Sequence, residues 1–586
     1  MTTSIFFKMF NRWILGVALT SAVAHAVNLA DVCTSEYVKG VLPTDILTGV
    51  TFDTSATIVS TTYNYSSSSS DSFPASTFDY CGVQITYSHD GIDGDQVLLM
   101  CWLPRPDRFE NRYLSTGGGG MAINSGNSSL PGGLMYGAVS CATDGGFGSF
   151  SNDADSAVLL ANGTLNYEAL YMFGYKAHHE MSVIGKKFTR NFFNMTDSTK
   201  LYAYYQACSE GGREGWSQIQ RYDDWDGAVV AAPAFRYAFQ QVAHLWSGLV
   251  EQTLDYYPPP CELEKIMNLT IAACDPLDGR TDGVVSRTDL CGLQYDLSQT
   301  IGEPYYCAES SSGFKRQLGE STTPAQSGNV TALGVAVAKA IVSGMKDSEG
   351  RQVYLSYQPA TAFEDADTTY NSTTNSWEGS VSGIGADWVD RFVKLLDSTN
   401  LSLDNVTYDT LKDWVYEGWE MYNDVLQTTW PDLSTYHNAG GKVLHIHGES
   451  DPSVPTASSV RYWESVRSVM YSNLSYTQGA AALNEWYRLY LTPGGGHCGP
   501  STQQPNGPWP QTQLEVLINW VENNSTPTTL NATVLSGSNE GQRWDLCAWP
   551  LRPLWSDNGS SFDCIFDQES INTWQWNLTA WNMPVY

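Results

Sequence analysis

Ser209 stands in the run Ala207-Cys208-Ser209-Glu210-Gly211, between a strand-like stretch, Lys200-Leu201-Tyr202-Ala203, and a helix-like one from Glu214 to Ile219. A serine flanked by small residues between a strand and a helix has the layout of a nucleophile elbow. The tight turn lifts the hydroxyl above the sheet edge, and the helix N-terminus favours negative charge developing there. By itself the run fits an ordinary Ser/Gly turn equally well. A nucleophilic serine needs an imidazole base, and that base needs a carboxylate to hold its tautomer. With nine histidines in the chain the search is short. The strand-like Lys442 to Gly448 runs into a loop carrying Asp451, just past a strand's carboxyl end, where catalytic groups collect in open α/β sheets. Trp486 to Leu491 runs likewise into Pro493-Gly494-Gly495-Gly496-His497-Cys498-Gly499.

The order Ser209, Asp451, His497 is the chain order of α/β-hydrolases. Cys208 precedes the serine and Cys498 follows the histidine, so a bridge between them would tie nucleophile and base together. The other histidines fit less well. His178-His179-Glu180 lies in the amphipathic run Tyr167 to Phe193 and lacks the H-E-x-x-H spacing, which favours a structural helix position over a metal site. His445 and His447 alternate on one strand and share a face, as packing or pocket lining would require.

Cys208-Ser209 with His497-Cys498, the stretch Tyr256-Tyr257-Pro258-Pro259-Pro260-Cys261, and the run from Cys274-Asp275-Pro276 to Asp282-Gly283-Val284 together resemble the fungal tannase and feruloyl esterase family. The resemblance covers essentially the whole chain after its leader and leans towards the tannase branch. It implies an α/β-hydrolase sheet with a large inserted lid, and acyl hydrolysis of galloyl and other polyphenol esters by a Ser209–His497–Asp451 triad without an organic cofactor. The rival within the family is a feruloyl or chlorogenate esterase, to be told apart by the lid-side pocket. The rival outside it is a polyphenol-binding protein with no activity.

The elements that must position these residues follow in order. Short strand-like runs at Val83–Tyr87, Val97–Leu103, Arg112–Leu114 and Gly137–Thr143 open a sheet. Between them Ser115-Thr116-Gly117-Gly118-Gly119-Gly120 follows a strand as an oxyanion loop does, so the N–H of Gly118 is a candidate partner for that of Glu210. Asp226 to Pro233 reads as the strand after the elbow. Ser209 and Asp451 are then about 240 residues apart, where one or two βα units of roughly 30 residues would suffice. The chain therefore divides into a leader (1–26), a first catalytic part (27–235), a lid (236–430) and a second catalytic part (431–586). Within the lid, Asp275-Pro276-Leu277-Asp278-Gly279-Arg280-Thr281-Asp282-Gly283-Val284 is either a solvated acidic turn or a Ca²⁺ loop. The resemblance favours a structural Ca²⁺, bound by the side chains of Asp275, Asp278 and Asp282 and the carbonyls of Arg280 and Val284. The pairings expected for the remaining cysteines are Cys33 with Cys81, Cys101 with Cys141, Cys261 with Cys307, Cys274 with Cys291, and Cys547 with Cys564. The dibasic Lys315-Arg316 lies in a Ser/Gly/Thr-rich stretch open to processing, and Cys208–Cys498 would hold the two resulting chains together.

Composition fits this reading. Lys8 and Arg12, an apolar Trp13–Val23 and Ala24-His25-Ala26 form a secretory leader, so the protein is expected outside the cell. Twelve cysteines, an even number, and numerous sequons from Asn64 to Asn577 suit an oxidising, glycosylating route. A net charge of −31 disfavours nucleic acid and anionic membranes as partners. Oligomeric state is not legible.

Overall fold

The structure, a computed structural model, describes residues 27–44, 46–311, 322–557 and 559–586. The leader and Lys315-Arg316 lie outside the described residues. Ten strands form one sheet. These are β1 (Val50–Phe52), β2 (Ile58–Ser67), β3 (Ser76–His89), β4 (Val97–Pro104), β5 (Arg112–Thr116), β6 (Ala138–Thr143), β7 (Tyr202–Cys208), β8 (Gly227–Ala231), β9 (Lys442–Gly448) and β10 (Tyr487–Thr492). Along the sheet they run β1-β3-β4-β6-β5-β7-β8-β9-β10, with β2 paired to β3. Pairing is antiparallel from β1 to β6 and parallel from there to β10.

The parallel half explains its own sequence. Both faces are covered, so β8 and β10 are buried at every position; β8 reads as an unbroken apolar run, and in β10 the buried Arg488 donates to the carbonyls of Asn484 and Pro527. Successive residues still face opposite sides: Ala203 and Tyr205 of β7 pack into one core, Tyr204 into the other. Helices α1 (Ala177–Phe192), α2 (Glu210–Ile219) and α3 (Ala457–Met470) contribute to the larger core, and α4 (Gln513–Asn523) covers the opposite face with Leu514, Leu517 and Ile518.

Between β8 and β9 the described chain adds no strand to this sheet; its hairpins, Pro304–Cys307 with Gln326–Asn329 and Thr368–Asn371 with Ser376–Gly379, stand apart. The insertion reaches back to the sheet's carboxyl edge. Tyr237 Oη donates to Gly120 O (3.0 Å) and Gln240 Nε2 to Ser453 O (2.6 Å). The run Tyr167 to Phe193 is helical, with a wider π turn at Met172–Lys176 before α1. The carbonyls of Phe173 and Gly174 in that turn accept from the Arg213 guanidinium of α2 at 2.8 and 3.0 Å, so the widened turn locks the helix that follows Ser209. The twelve cysteines form six disulfides, with none free.

Candidate active site

Ser209 connects β7 directly to α2 at φ 63°, ψ −124°, a conformation costly for any residue with a β-carbon. The turn is tight enough to demand glycine behind it. A β-carbon on Gly211 would meet Ala207 Cβ at 2.6 Å and Gly118 O at 2.7 Å, and one on Gly212 would meet Ala231 O at 2.5 Å. Three loops converge on the hydroxyl. His497 Nε2 lies 2.9 Å from Ser209 Oγ, and His497 Nδ1 lies 2.8 Å from Asp451 Oδ2. The other Asp451 oxygen accepts from the amides of Ser453 and Val454, both at 2.9 Å. Cys208 and Cys498 are bonded, and Cys498 also adopts a positive φ of 63°.

The electrostatics suit a base poised beside a fixed charge. Burial alone would raise the pKa of Asp451, but His497 and His447 outweigh it and hold the carboxyl below the usual carboxylate range. Burial opposes charge on His497, yet Asp451 and then Glu364, reaching over from the insertion, raise its pKa above the ordinary histidine value.

One expectation is corrected. The N–H of Gly118 is not available to an oxyanion, because it donates to the buried Oε2 of Glu214 at 3.0 Å. The Gly119 N–H is likewise committed, to Ala122 O at 3.1 Å. Glu210 keeps its N–H at the first turn of α2, where a helix leaves amides without intrahelical partners, while its side chain pairs with Arg213 (2.7 Å). A cavity of about 480 Å³ opens on Ser209 and His497, and its walls are Ser70–Phe73, Gly117–Gly120, three serines (Ser125, Ser128, Ser129) and Gln206. Among the described residues none from 236–430 lines it.

Asp71 lines this cavity, its Oδ2 close enough to Gly499 that a β-carbon there would lie 2.5 Å away. Its loop is pinned by Trp509 Nε1 to Asp71 O (2.8 Å), Gln511 Nε2 to Ser70 O (2.5 Å) and Gln206 Nε2 to Ser72 O (3.3 Å). Nothing in the Ser-rich sequence around residue 70 marks it as a pocket wall.

The remaining candidate histidines each have a structural partner. His178 is buried 2.9 Å from Glu214, and His179 Nδ1 lies 2.7 Å from Asp224. In the acidic loop, Asp275 accepts from the amides of Asp282 (3.0 Å) and Gly283 (2.9 Å), and Asp278 Oδ1 from that of Arg280 (2.9 Å). Asp278 Oδ2 and both Asp282 carboxylate oxygens are buried without a hydrogen bond, although Arg280 Nε lies 3.0 Å from Asp282 Oδ2. Burial pushes Asp278 and Asp282 up to about 6. Among the described residues no three His, Cys, Asp or Glu side chains converge as a ready metal centre. The orphaned carboxylate oxygens nevertheless match the oxygen ligands that a hard cation takes.

A serine on a strained strand-to-helix turn, a histidine and aspartate on the carboxyl-end loops of later parallel strands, and a mixed sheet whose parallel half carries all three define an esterase of the α/β-hydrolase type. Residues 84–571 match the family described as tannase and feruloyl esterase, and the chain belongs to that family. It is 50% identical over 591 residues to the tannase of Aspergillus oryzae, covering 98% of this chain and 99% of that protein. A probable feruloyl esterase of Arthroderma benhamiae is 30% identical, over 85% of this chain and 88% of the other. The solved tannin acyl hydrolase of Aspergillus niger superposes with a TM-score of 0.92 at 59% identity, covering 95% of this chain and 99% of the other. Feruloyl esterase B of Aspergillus oryzae shares the fold at a TM-score of 0.66 and 23% identity, over 89% of this chain and 97% of the other.

Proposed function

We propose that the protein is a secreted esterase that hydrolyses galloyl esters of hydrolysable tannins and simple gallates, with depsides as further substrates, releasing gallic acid. The observation that carries this is the Ser209–His497–Asp451 array, with Ser209 and His497 opening on a cavity whose largely apolar wall also carries the Ser125, Ser128 and Ser129 hydroxyls, the Gln206 amide and the Asp71 carboxylate. In this reading His497 takes the Ser209 proton as Oγ attacks the ester carbonyl, and Asp451 stabilises the imidazolium. The N–H of Glu210 meets the oxyanion. His497 then protonates the departing alcohol, and water releases the acid from the acyl-enzyme. A galloyl ring carries three adjacent hydroxyls that these polar groups can partner, whereas a feruloyl group carries a methoxy group and needs a longer slot for its linker.

The insertion between β8 and β9 acts as the lid, over 236–430. A structural Ca²⁺ on the acidic loop is held by Asp275, Asp278 and Asp282 with the carbonyls of Arg280 and Val284, braced by the Cys274–Cys291 bridge. N-glycans on surface sequons and cleavage at Lys315-Arg316 complete the mature form.

The test is parallel hydrolysis of methyl gallate and methyl ferulate with Ser209→Ala as control. Gallate release that depends on Ser209, with the ferulate ester spared, is the expected result. The reverse preference moves the protein to the feruloyl esterase branch. Failure of both, with no labelling of Ser209 by an organophosphate, replaces catalysis with polyphenol binding.

A further inference from the structure

Behind the triad the buried polar groups continue as a single chain. His447 Nε2 lies 3.1 Å from Asp451 Oδ2, the oxygen His497 uses, and 3.0 Å from the carbonyl of Val454. His447 Nδ1 lies 2.6 Å from Ser459 Oγ, Ser459 Oγ lies 2.7 Å from His445 Nε2, and His445 Nδ1 lies 2.8 Å from Tyr487 Oη. Both imidazoles are fully buried.

With both imidazoles neutral, the partners assign every proton. A carbonyl and a carboxylate can only accept, so His447 Nε2 carries the hydrogen and donates to both. In the neutral ring Nδ1 is then an acceptor, and Ser459 must donate to it. Ser459 in turn accepts from His445 Nε2–H, which leaves His445 Nδ1 to accept from the Tyr487 hydroxyl. Burial pushes the pKa of His445 well down, in keeping with a neutral ring. The donors therefore run one way, from Tyr487 through His445, Ser459 and His447 to Asp451. A one-way chain polarises each successive donor and strengthens the last bond.

We infer that His447 is a positioning residue of the reaction, a fixed donor that holds Asp451 in register with His497 and shares its negative charge. The inference rests on the triad reading above. The groups that face this array are Arg236, which donates to Ser458 Oγ beside Ser459 (2.9 Å); Tyr357, whose hydroxyl donates to Ser453 O (3.4 Å); and Glu364, which acts on His497 from the insertion. The rings of Trp216 and Phe235 close over His445. None of them gives Asp451 a substitute donor.

Removing the donor concentrates charge on Asp451 and makes His497 more basic. His447→Leu should lower kcat about tenfold or more with KM within about twofold, and should move the acid limb of kcat/KM to higher pH. His447→Gln, which keeps an N–H donor, should recover part of both. Ser459→Ala leaves the His447 ring in place and should shift the limb in the same direction by less, so the inference is testable even if the leucine variant folds poorly. The proton NMR spectrum should show a downfield imidazole N–H that disappears in the leucine variant while that of His497 remains. Wild-type kcat and pH limb in His447→Leu, or loss of rate in the glutamine variant as deep as in the leucine one, would overturn the inference. Full activity of Ser209→Ala would instead overturn the triad reading itself.

Discussion

Ser209 and Cys498 are each held at a positive φ that costs a residue with a β-carbon about 1–3 kcal/mol. Both lie where the nucleophile and base loops meet, so the surrounding fold stabilises a geometry the local chain disfavours. Ser209→Ala should abolish ester hydrolysis by roughly 10⁴-fold or more while leaving the melting temperature within a few degrees, because nothing but the hydroxyl is lost. Rate assays beside thermal scans measure both. Glu364 raises the pKa of His497 from across the site. The base works only when neutral, so Glu364→Gln should lower that pKa and shift the acid limb of kcat/KM to lower pH; an unmoved limb would remove Glu364 from the site's electrostatics. At this scale the sequence spoke clearly about Ser209, Asp451 and His497, because each stands beside a cysteine or on a loop at a strand's end. It could not show that Gly118 had lost its amide. The acceptor, Glu214, is 96 residues away, and the direction of an N–H depends on packing. Alternation placed His445 and His447 on one face without revealing that Ser459, on a later helix, would join them.

Among the elements, the Ser70–Phe73 loop and the acidic loop make separate predictions. The first precedes residue 84, where the family-wide match begins, yet it walls the cavity beside the nucleophile. A carboxylate there can accept hydrogen bonds from adjacent phenolic hydroxyls, each charge-assisted bond being worth about 1.5–3 kcal/mol. Asp71→Ala should therefore lower kcat/KM about tenfold for methyl gallate, with a much smaller loss on a dimethoxylated analogue. Equal losses on both would make Asp71 a purely structural residue. This wall was not legible because a serine-rich run carries no periodicity; only its anchoring to Trp509 and Gln511 gives it a fixed shape.

In the acidic loop, Asp278 and Asp282 have folded pKa values of about 6, raised by burial above the ordinary value. Without a cation, the stability they contribute is present at low pH and is lost as pH rises through about 6. A Ca²⁺ bound there, as proposed, would offset that loss. Chelation should thus lower the melting temperature more at pH 7 than at pH 5, with calcium restoring it; an equal effect at both values would count against the loop as the site. The sheet itself was largely readable, since β3 to β8 announce themselves as apolar runs broken by glycine, and the long gap before Lys442 reveals an insertion. Which residues join that insertion to the Asp451 loop was not readable, because contacts such as Gln240 with Ser453 depend on packing.

For the molecule as a whole, the six disulfides divide the work unevenly. Five close separations of 17 to 48 residues, and Cys208–Cys498 alone spans 290. It is also the only one that straddles Lys315-Arg316. Cleavage at that step should give one band on a non-reducing gel and two on a reducing one; separation without reductant would show that the bridge is open in the mature protein. No described helix is long and apolar enough to cross a membrane, and the charge of −31 is spread over a chain whose cross-links suit an oxidising environment.

The Cys208–Cys498 bridge also joins the nucleophile loop to the base loop. With that bridge open, only packing and the hydrogen bond between His497 and Ser209 would hold the two loops in register. Mild reduction should therefore lower the hydrolysis rate before it unfolds the chain, and an unchanged rate in the reduced, folded protein would show that packing alone sets the geometry.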